Sequence, residues 1–549
     1  MNWRIYLLSL LFFSFWGSRA GAQTPTVGVI DAQLGMAPGY VLFAHTGSNA
    51  VYLIDNCGQV INQWNNSLYT PGSSIYLLED GSLLKTCRIQ NANFIMGGVG
   101  GRVERWSWND SLMWAYDHTG ADFTQHHDIE PLPNGNVILL AVEAISGLEL
   151  VQEGRDPATV SSNTVWSEYL LELRPLGADS AEIVWEWHAW DHLVQDYDAQ
   201  ARNFGVIADH PERIDLNFSP GVLTRDWLHA NSVAYNPYLD QLMLSLAHFD
   251  EVWIIDHSTT SAEAASSTGG NSGRGGDLLY RWGNPLAYQR GDSLDKKLGF
   301  QHDAHWICAG RPDSGKVMIF NNGVGRAYSS VEIITLPETS PGVYHLPPNG
   351  TYGPLVTDRT WTADTANLFF SKIMSGASQQ PNGNLLISHG ANGYSFEIDL
   401  ADQQVWRYQS PVTGNGITPQ GTVPPAGSSS VFRMRRYGPD YPGLQGQNLT
   451  PGAAIEPGSD LSDCLAVLTD RPKSTAIPAI EAFPNPVRDH LYLRQPSGKP
   501  VSIAICDPYG KVLFQGTLRN TLTVSTQSWP AGVYFVVAGQ NGIAKLVHY

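Results

Sequence analysis

The stretch His126-His-Asp-Ile-Glu-Pro-Leu-Pro-Asn-Gly-Asn-Val-Ile-Leu-Leu-Ala141 decides the fold, because it contains a complete β-hairpin signal. A short strand leads into an Asn-Gly turn, and an apolar strand follows the turn. Eight residues separate His126 from its Asn-Gly turn. The same interval separates Gly72 from an Asp-Gly turn and Met374 from an Asn-Gly turn. Looser turns follow His229 and His302 at a similar distance. These repeats predict several equivalent hairpins along the chain.

A second element, an apolar strand pair that ends on tryptophan, alternates with the hairpins. It occurs six times, with its tryptophan at Trp64, Trp114, Trp185, Trp282, Trp361 and Trp406. An inner hairpin and an outer pair make a four-stranded antiparallel blade, and such blades assemble radially around a channel. The sequence therefore predicts an all-β fold, a six-bladed β-propeller over residues 30–445. Residues 431–435 are expected to supply the missing inner strand beside residues 39–43 and to close the ring.

The two ends of the chain differ in composition from the repeats. Residues 1–22 contain Arg4, an apolar run and an Ala-x-Ala site, which predicts a signal peptide. Residues 446–478 are rich in Pro, Ser and Asp and are predicted to form a linker, and residues 479–549 are predicted to form a small β-sandwich. No later stretch predicts a membrane span. The net charge of −18 argues against nucleic acid as a partner. The pairing of the five cysteines stays open.

Three of the five aligned hairpin starts are histidines, namely His126, His229 and His302. The innermost strands of a propeller line its channel, so we expect these side chains to converge there from different blades. Neutral imidazoles bind Zn, Cu or Fe, which favours a metal site. One imidazole can also act as a nucleophile while another moves a proton, which favours group transfer without a metal. The residues alone leave both readings open.

The C-terminal unit resembles the C-terminal sorting domain of the type IX secretion system of Bacteroidetes. The resemblance is carried by Phe483-Pro-Asn-Pro, Asp507-Pro-Tyr-Gly-Lys511, Ala531-Gly-Val-Tyr534 and Lys545. It implies export, with the type IX secretion machinery as a partner and a secreted or cell-surface location. The alternative from composition is a carbohydrate-binding sandwich.

The larger region resembles the bacterial arylsulfate sulfotransferases over about residues 35–445. The motifs that carry this resemblance are Gln125-His-His-Asp-Ile, Asp226-Trp-Leu-His-Ala-Asn-Ser-Val, Glu251-Val-Trp-Ile-Ile-Asp-His-Ser-Thr, Leu279-Tyr-Arg-Trp-Gly-Asn-Pro285, Gly299-Phe-Gln-His-Asp-Ala-His-Trp306 and Phe320-Asn-Asn-Gly. The resemblance implies a six-bladed propeller that moves a sulfuryl group from a phenolic sulfate to a phenol. It also implies a sulfated histidine as the intermediate, with no nucleotide sulfate donor and no cofactor or metal.

Matched motif by motif, the resemblance makes His302 the nucleophile. His229 and either His126 or His127 would bind sulfuryl oxygens or manage the phenol proton, and the repeat register favours His126.

One position departs from the family pattern, because Ala247 stands where the family often has an arginine. A guanidinium there would clamp the sulfate. The residues expected to bind substrate instead are His248, Arg225, Arg281 and Asn231. The alternatives are a metal-dependent hydrolase or oxidoreductase on the three histidines, and a surface propeller that binds its ligand without turnover.

Overall fold

A computed structural model describes residues 24–160, 164–218, 225–364, 369–470, 480–495, 500–506, 512–530, 532–538 and 542–548. The signal peptide predicted at residues 1–22 lies outside the described residues. No helix in these ranges is long and apolar enough to cross a membrane.

The described chain consists mainly of short strands. As far as residue 282 the strands are β1 (Gly28–Ala32), β2 (Tyr40–Ala44), β3 (Val51–Ile54), β4 (Val60–Trp64), β5 (Pro71–Leu77), β6 (Leu83–Arg88), β7 (Gly101–Trp106), β8 (Leu112–Asp117), β9 (Phe123–Pro131), β10 (Val137–Ser146), β11 (Thr164–Leu176), β12 (Ser180–His188), β13 (Leu193–Val194), β14 (Ile214–Asp215), β15 (Ala230–Asn236), β16 (Gln241–Leu246), β17 (Glu251–Asp256) and β18 (Tyr280–Trp282).

The later strands are β19 (His302–Trp306), β20 (Val317–Asn321), β21 (Ser330–Ile334), β22 (Glu338–Ser340), β23 (Val343–Tyr344), β24 (Arg359–Trp361), β25 (Gly376–Gln379), β26 (Leu385–His389), β27 (Tyr394–Ile398), β28 (Gln404–Gln409), β29 (Val412–Thr413), β30 (Gly416–Ile417), β31 (Arg435–Tyr437), β32 (Glu481–Phe483), β33 (His490–Arg494), β34 (Val501–Cys506), β35 (Val512–Leu518), β36 (Thr521–Ser525), β37 (Gly532–Ala538) and β38 (Gly542–His548). Three short α-helices are α1 (Gly147–Gln152), α2 (Ser261–Ala264) and α3 (Ser462–Asp470).

Up to β31, the described residues form six antiparallel sheets of four or five strands. Their strand orders are β31-β2-β3-β4, β5-β6-β7-β8, β9-β10-β11-β12, β15-β16-β17-β18, β19-β20-β21-β24 and β25-β26-β27-β28-β1. Inner strands of consecutive sheets contact one another, from β5 to β9, to β15, to β19 and to β25. The first and last sheets share one hydrophobic core. The predicted all-β propeller class is therefore confirmed.

Tryptophans of the outer strands join sheets to their neighbours. All six are buried, and the indole N–H of five of them donates to a group of the following sheet or its loop. The bonds run from Trp64 to the Ser107 carbonyl (2.8 Å), from Trp114 to the Ser180 carbonyl (2.8 Å), from Trp185 to Thr259 Oγ1 (3.0 Å), from Trp282 to the Pro354 carbonyl (2.9 Å) and from Trp406 to the Asn56 carbonyl (2.8 Å). The repeated tryptophan thus fixes the contact between neighbouring sheets.

The ring closes somewhat differently from the sequence prediction. The strand that pairs with β2 is β31, Arg435–Tyr437, and Val431 makes only an isolated bridge to His45. Residues between them turn aside because the Phe432 carbonyl accepts the N–H of Ser375 (3.0 Å) in the last sheet. In addition, β1 adds a fifth strand to β28, which the repeats did not predict.

The segment predicted as a linker, residues 446–478, is attached to the first sheet as far as α3. The Val60 N–H donates to the Ala453 carbonyl (3.0 Å), and the Gly452 N–H donates to the Val60 carbonyl (2.8 Å). Cys464 of α3 forms a disulfide with Cys57. As far as Asp470, main-chain bonds and a disulfide therefore hold the predicted linker on the first sheet.

The C-terminal unit has the predicted sandwich form in its described residues. One sheet has the order β32-β33-β36 and the other has the order β35-β34-β37-β38. Apolar residues that alternate along the strands, such as Leu491, Leu493, Ile503 and Ile505, fill the space between them.

Candidate active site

Three imidazoles gather on or directly beside the inner strands of neighbouring sheets. His127 lies in β9, His229 directly precedes β15, and His302 is the first residue of β19. The rings of His127 and His229 are 4.8 Å apart in a T-shaped arrangement. We call His127, His229 and His302 the histidine cluster.

Two phenylalanines connect the third histidine to the first two. The Phe432 ring lies 6.2 Å from His127 and 6.1 Å from His302. The Phe300 ring lies 5.6 Å from His229 and 5.8 Å from His302. The cluster is thus a buried set of imidazoles packed around aromatic rings.

The repeat register favoured His126 over His127, but the ring that contacts His229 is that of His127, and the His126 ring bonds to His127 and Glu168. His126 Nε2 bonds to Glu168 Oε2 (2.7 Å) in the next strand of its own sheet. A bulge between β9 and β10 inserts extra residues here, and His127 adopts a positive φ of 47°. The bulge reverses the alternation of side chains, so His127 occupies the position that the regular spacing assigned to His126.

His302 is held as one tautomer by Asn322. The Asn322 amide nitrogen donates to the carbonyls of Ser371 (2.7 Å) and Met374 (3.0 Å), so its oxygen faces His302. His302 Nδ1–H donates to that oxygen at 2.8 Å. Its Nε2 therefore carries the lone pair. Burial lowers the pKa of His302 to about 4, although the bond to Asn322 acts in the opposite direction. His302 is consequently a neutral imidazole at pH 7.

His229 has the opposite electrostatic environment. Its Nδ1–H donates to Asp226 Oδ2 at 2.6 Å. Burial alone would lower its pKa, but the charge and hydrogen bond of Asp226 outweigh burial, and the pKa of His229 is raised. For His127, burial and the neighbouring imidazoles hold the pKa well below its ordinary value. The cluster therefore combines neutral rings with one that binds a proton more tightly.

Comparison with known families identifies the family of this region. The model of the family described as arylsulfotransferase (ASST) matches residues 26–413. The chain belongs to the arylsulfotransferase family. Residues 481–547 match the secretion system C-terminal sorting domain, which indicates export to the cell surface or secretion. No curated protein matches the arylsulfotransferase chain significantly.

Three solved structures resemble the chain only distantly. A protein of unknown function from Bacteroides caccae is 11% identical, with 73% of this chain and 99% of that chain covered and a TM-score of 0.39. Periplasmic gluconolactonase from Pseudomonas aeruginosa is 13% identical, with 73% of this chain and 99% of that chain covered and a TM-score of 0.34. Apo AztD from Citrobacter koseri is 6% identical, with 73% of this chain and 98% of that chain covered and a TM-score of 0.32. Similarity at this level carries no argument about the activity of the arylsulfotransferase.

Arg281 and Arg225 were predicted as substitutes for the arginine that the family often has at the position of Ala247. Arg281 is fully buried and bonds to Glu251 on the adjacent strand, and its guanidinium lies over the Tyr288 ring. Burial between these partners makes Arg281 a packing residue, so its prediction as a sulfate ligand is wrong. Arg225 is exposed, and its carbonyl accepts the N–H of Trp166 (2.6 Å).

His248 and Asn231 do lie beside the cluster. The His248 ring stacks on His229, with 4.8 Å between ring centroids, and its Nδ1–H donates to the Asp226 carbonyl (2.7 Å). Asn231 donates to the carbonyl of Gln301 at 2.7 Å, which ties β15 to the residue before His302. Asn231 thus positions the backbone next to His302.

Sequence reasoning missed Arg433, a buried guanidinium on the propeller axis. Its Nη1 donates to Asp303 (2.6 Å), and its Nη2 donates to Asp128 (2.7 Å). These three residues also line a cavity of about 940 Å³ that extends along the inner strands past Glu130 and His305. Among its described lining residues there is no member of the histidine cluster. The sequence predicted that the histidines line the channel, but they do not line this cavity. Arg433 and its two carboxylate partners separate them from it.

Gly98 gives a direct test of the placement of His127. It has φ +66°, and a Cβ built there would lie 2.3 Å from the His127 ring. Gly98→Ala should lower turnover of an aryl sulfate about 10²-fold, the loss expected from a misplaced catalytic group. Gly135→Ala is the matched control, because Gly135 has φ +87° and nothing within 4 Å of its Cβ. Equal losses of activity in both variants would mean that backbone strain alone, and not His127, is responsible.

Proposed function

We propose that this protein transfers a sulfuryl group from a phenolic sulfate ester to a phenol through a sulfohistidine at His302. The observation that carries the proposal is the tautomer of His302, whose Nδ1–H is bonded to Asn322. A neutral imidazole with a free lone pair on Nε2 is a nucleophile, and the low pKa of about 4 keeps it neutral at physiological pH.

In the first half-reaction the Nε2 lone pair forms a bond to sulfur while the bond from sulfur to the phenol oxygen breaks. The phenol oxygen keeps the electron pair and takes a proton from a neighbouring imidazole. In the second half-reaction an acceptor phenol attacks the same sulfur, returns that proton, and restores His302. No oxidant, nucleotide or metal is needed for this balance.

His229 is the residue we assign to the sulfuryl oxygens. Its Nδ1 is bonded to Asp226, so its Nε2–H is free to donate. A donor that carries positive charge stabilises the negative charge that develops on these oxygens during transfer. His248, stacked on His229, is the nearest side chain to take over part of the role of the absent arginine at Ala247.

The reaction class is tested by the intact mass of the protein after treatment with 4-nitrophenyl sulfate in the absence of acceptor. A gain of one sulfuryl group that maps to His302, and that disappears when phenol is added, is the expected result. Saturable binding of the donor with no covalent gain and no turnover would replace the proposal with a binding propeller.

The pH dependence of kcat/KM for the donor should follow two imidazoles. The rate should fall as the pH drops through about 4, because His302 becomes protonated. It should also fall as the pH rises through the raised pKa of His229, because the cationic donor is lost. Asp226→Asn removes the charge that raises this pKa, so the alkaline limb should move to lower pH while the acid limb stays. An alkaline limb that does not move would contradict the role of His229.

A metal-dependent hydrolase or oxidoreductase is the second candidate. Asp226, His229 and His248 each offer a ligand atom, and these atoms lie within 4.8 Å of one another. Two imidazoles and a carboxylate suit Zn²⁺. Elemental analysis of protein purified without chelator distinguishes the candidates. Stoichiometric metal that is required for turnover would favour the hydrolase or oxidoreductase, and full sulfate transfer by metal-free protein would eliminate it.

A further inference from the structure

A buried chain of three side chains ends at the cluster. Glu168 Oε2 bonds to His126 Nε2 at 2.7 Å, and His126 Nδ1 bonds to His127 Nδ1 at 2.8 Å. The exposed fractions of Glu168, His126 and His127 are 1%, 0% and 3%. Two imidazoles in direct contact, backed by a carboxylate, are more than packing requires, and the sulfohistidine reaction as described above does not use Glu168 or His126.

The bonds of Glu168 place one hydrogen of this chain of side chains. Glu168 Oε1 already accepts the N–H of Ala230 (2.8 Å), and a carboxylate accepts rather than donates, so His126 Nε2 is the donor to Oε2. Only one hydrogen lies between His126 Nδ1 and His127 Nδ1. With that hydrogen on His126, a cationic ring lies beside an anionic carboxylate and the buried pair carries no net charge, which a low-dielectric interior favours. His126 then donates to His127, whose own hydrogen must reside on Nε2.

The Nε2 atom of His127 faces the same space beside the cluster as Nε2 of His229. A Cβ built on Gly97 would lie 3.8 Å from His229 Nε2 and 3.9 Å from His127 Nε2, so both atoms converge on one side of the cluster. Glycine at position 97 leaves this space open. The outer end of the chain is therefore an N–H donor beside the ring assigned to the sulfuryl oxygens.

We propose that Glu168, His126 and His127 form a proton relay in which His127 exchanges the phenol proton and Glu168 and His126 are positioning residues. This inference rests on the proposed sulfuryl transfer. When the donor's phenol oxygen leaves, His127 Nε2–H protonates it, and the hydrogen of His126 Nδ1 moves to His127 Nδ1. His126 keeps its Nε2–H on Glu168, and the relay gains one negative charge. The acceptor phenol returns a proton to His127 Nε2, and the shifts reverse.

The relay makes the reaction depend on the leaving phenol in a defined way. An ordinary phenol has a pKa of about 10 and needs a proton as it leaves, whereas a nitrophenol leaves readily as the anion. Loss of the relay should therefore slow phenyl sulfate far more than 4-nitrophenyl sulfate. A purely structural role would slow both donors alike.

The test measures single-turnover sulfation of His302 by the two donors. Glu168→Gln keeps an acceptor for Ala230 but cannot hold a negative charge, and His126→Gln keeps hydrogen bonds but cannot pass a proton. Each should lower the phenyl sulfate rate about 10²-fold or more, the usual contribution of acid catalysis, and leave the nitrophenyl sulfate rate within about tenfold. Glu168→Asp, which keeps the carboxylate, should recover part of the difference between donors.

A matched control is Asp277→Asn, which alters another buried pair, His192 Nδ1 with Asp277 Oδ1 at 2.8 Å, outside the cluster. It should leave the ratio of the two donor rates unchanged. Equal losses for both donors in the relay variants, or no loss in either folded variant, would overturn the relay. If neither donor sulfates His302 in the unaltered protein, the proposed function itself fails, which is a separate outcome.

Discussion

Replacing His302 with alanine is expected to lower kcat/KM for an aryl sulfate by at least about 10⁴-fold, because His302 Nε2 is the atom that carries the sulfuryl group in the proposed intermediate. The measurement is release of nitrophenolate from 4-nitrophenyl sulfate with phenol as the acceptor. His302→Ala should also show no gain of a sulfuryl group in the intact mass.

The appropriate control is His305→Ala, which removes a half-buried imidazole of the same strand. His305 Nδ1 is bonded to the Asp303 carbonyl (2.8 Å), and its side chain lines the cavity away from the cluster. This variant should keep most of the activity. Full turnover by His302→Ala, with the thermal midpoint unchanged, would show that another residue is the nucleophile.

Much of the fold could be predicted because its signals are local and repeated. The turns and the tryptophans at the outer strands recur at short intervals, and each has a physical role, since the indoles bond to the next sheet. The fifth strand of the last sheet had no such signal. It pairs residues at the start of the chain, such as Gly28, with Gln409, and nothing in either segment specifies a partner so far away.

The site could be predicted to the level of the strand but not always of the residue. His229 and His302 follow from the hairpin starts, and both lie in the cluster. The choice between His126 and His127 depended on a bulge, which shifts side chains by one position without a clear sequence signal. Arg281 was misjudged because its partner, Glu251, precedes it by 30 residues and meets it only across neighbouring strands. Arg433 was missed because residues 431–435 were interpreted only as the strand that closes the ring.

Arg433→Met is expected to lower the free energy of unfolding by about 3–5 kcal/mol, the usual effect of breaking a buried ion pair from one side. Burial opposes the guanidinium charge, but Asp128 and Asp303 outweigh it and raise the pKa of Arg433. Without the guanidinium these two carboxylates would remain buried beside each other. Urea unfolding followed by tryptophan fluorescence measures the loss.

The large effect is expected because Arg433 connects several sheets through its two carboxylate partners. Asp128 lies in β9 and also accepts the N–H of Val233 in β15 (3.3 Å), while Asp303 lies in β19 and accepts the N–H of Ala377 in β25 (3.2 Å). A second variant, Arg433→Met with Asp303→Asn, should regain part of the stability because one unpaired charge is removed.

The matched control for Arg433→Met is Arg174→Met, which breaks an exposed pair with Glu182. It should change the unfolding free energy by no more than about 1 kcal/mol, because water screens an exposed ion pair. A loss as small as this in Arg433→Met would mean that the axial ion pairs contribute little. The expected larger loss would instead show that the ion pairs of Arg433 hold the propeller together at its axis, directly beside His302. The same two carboxylates separate the cluster from the cavity.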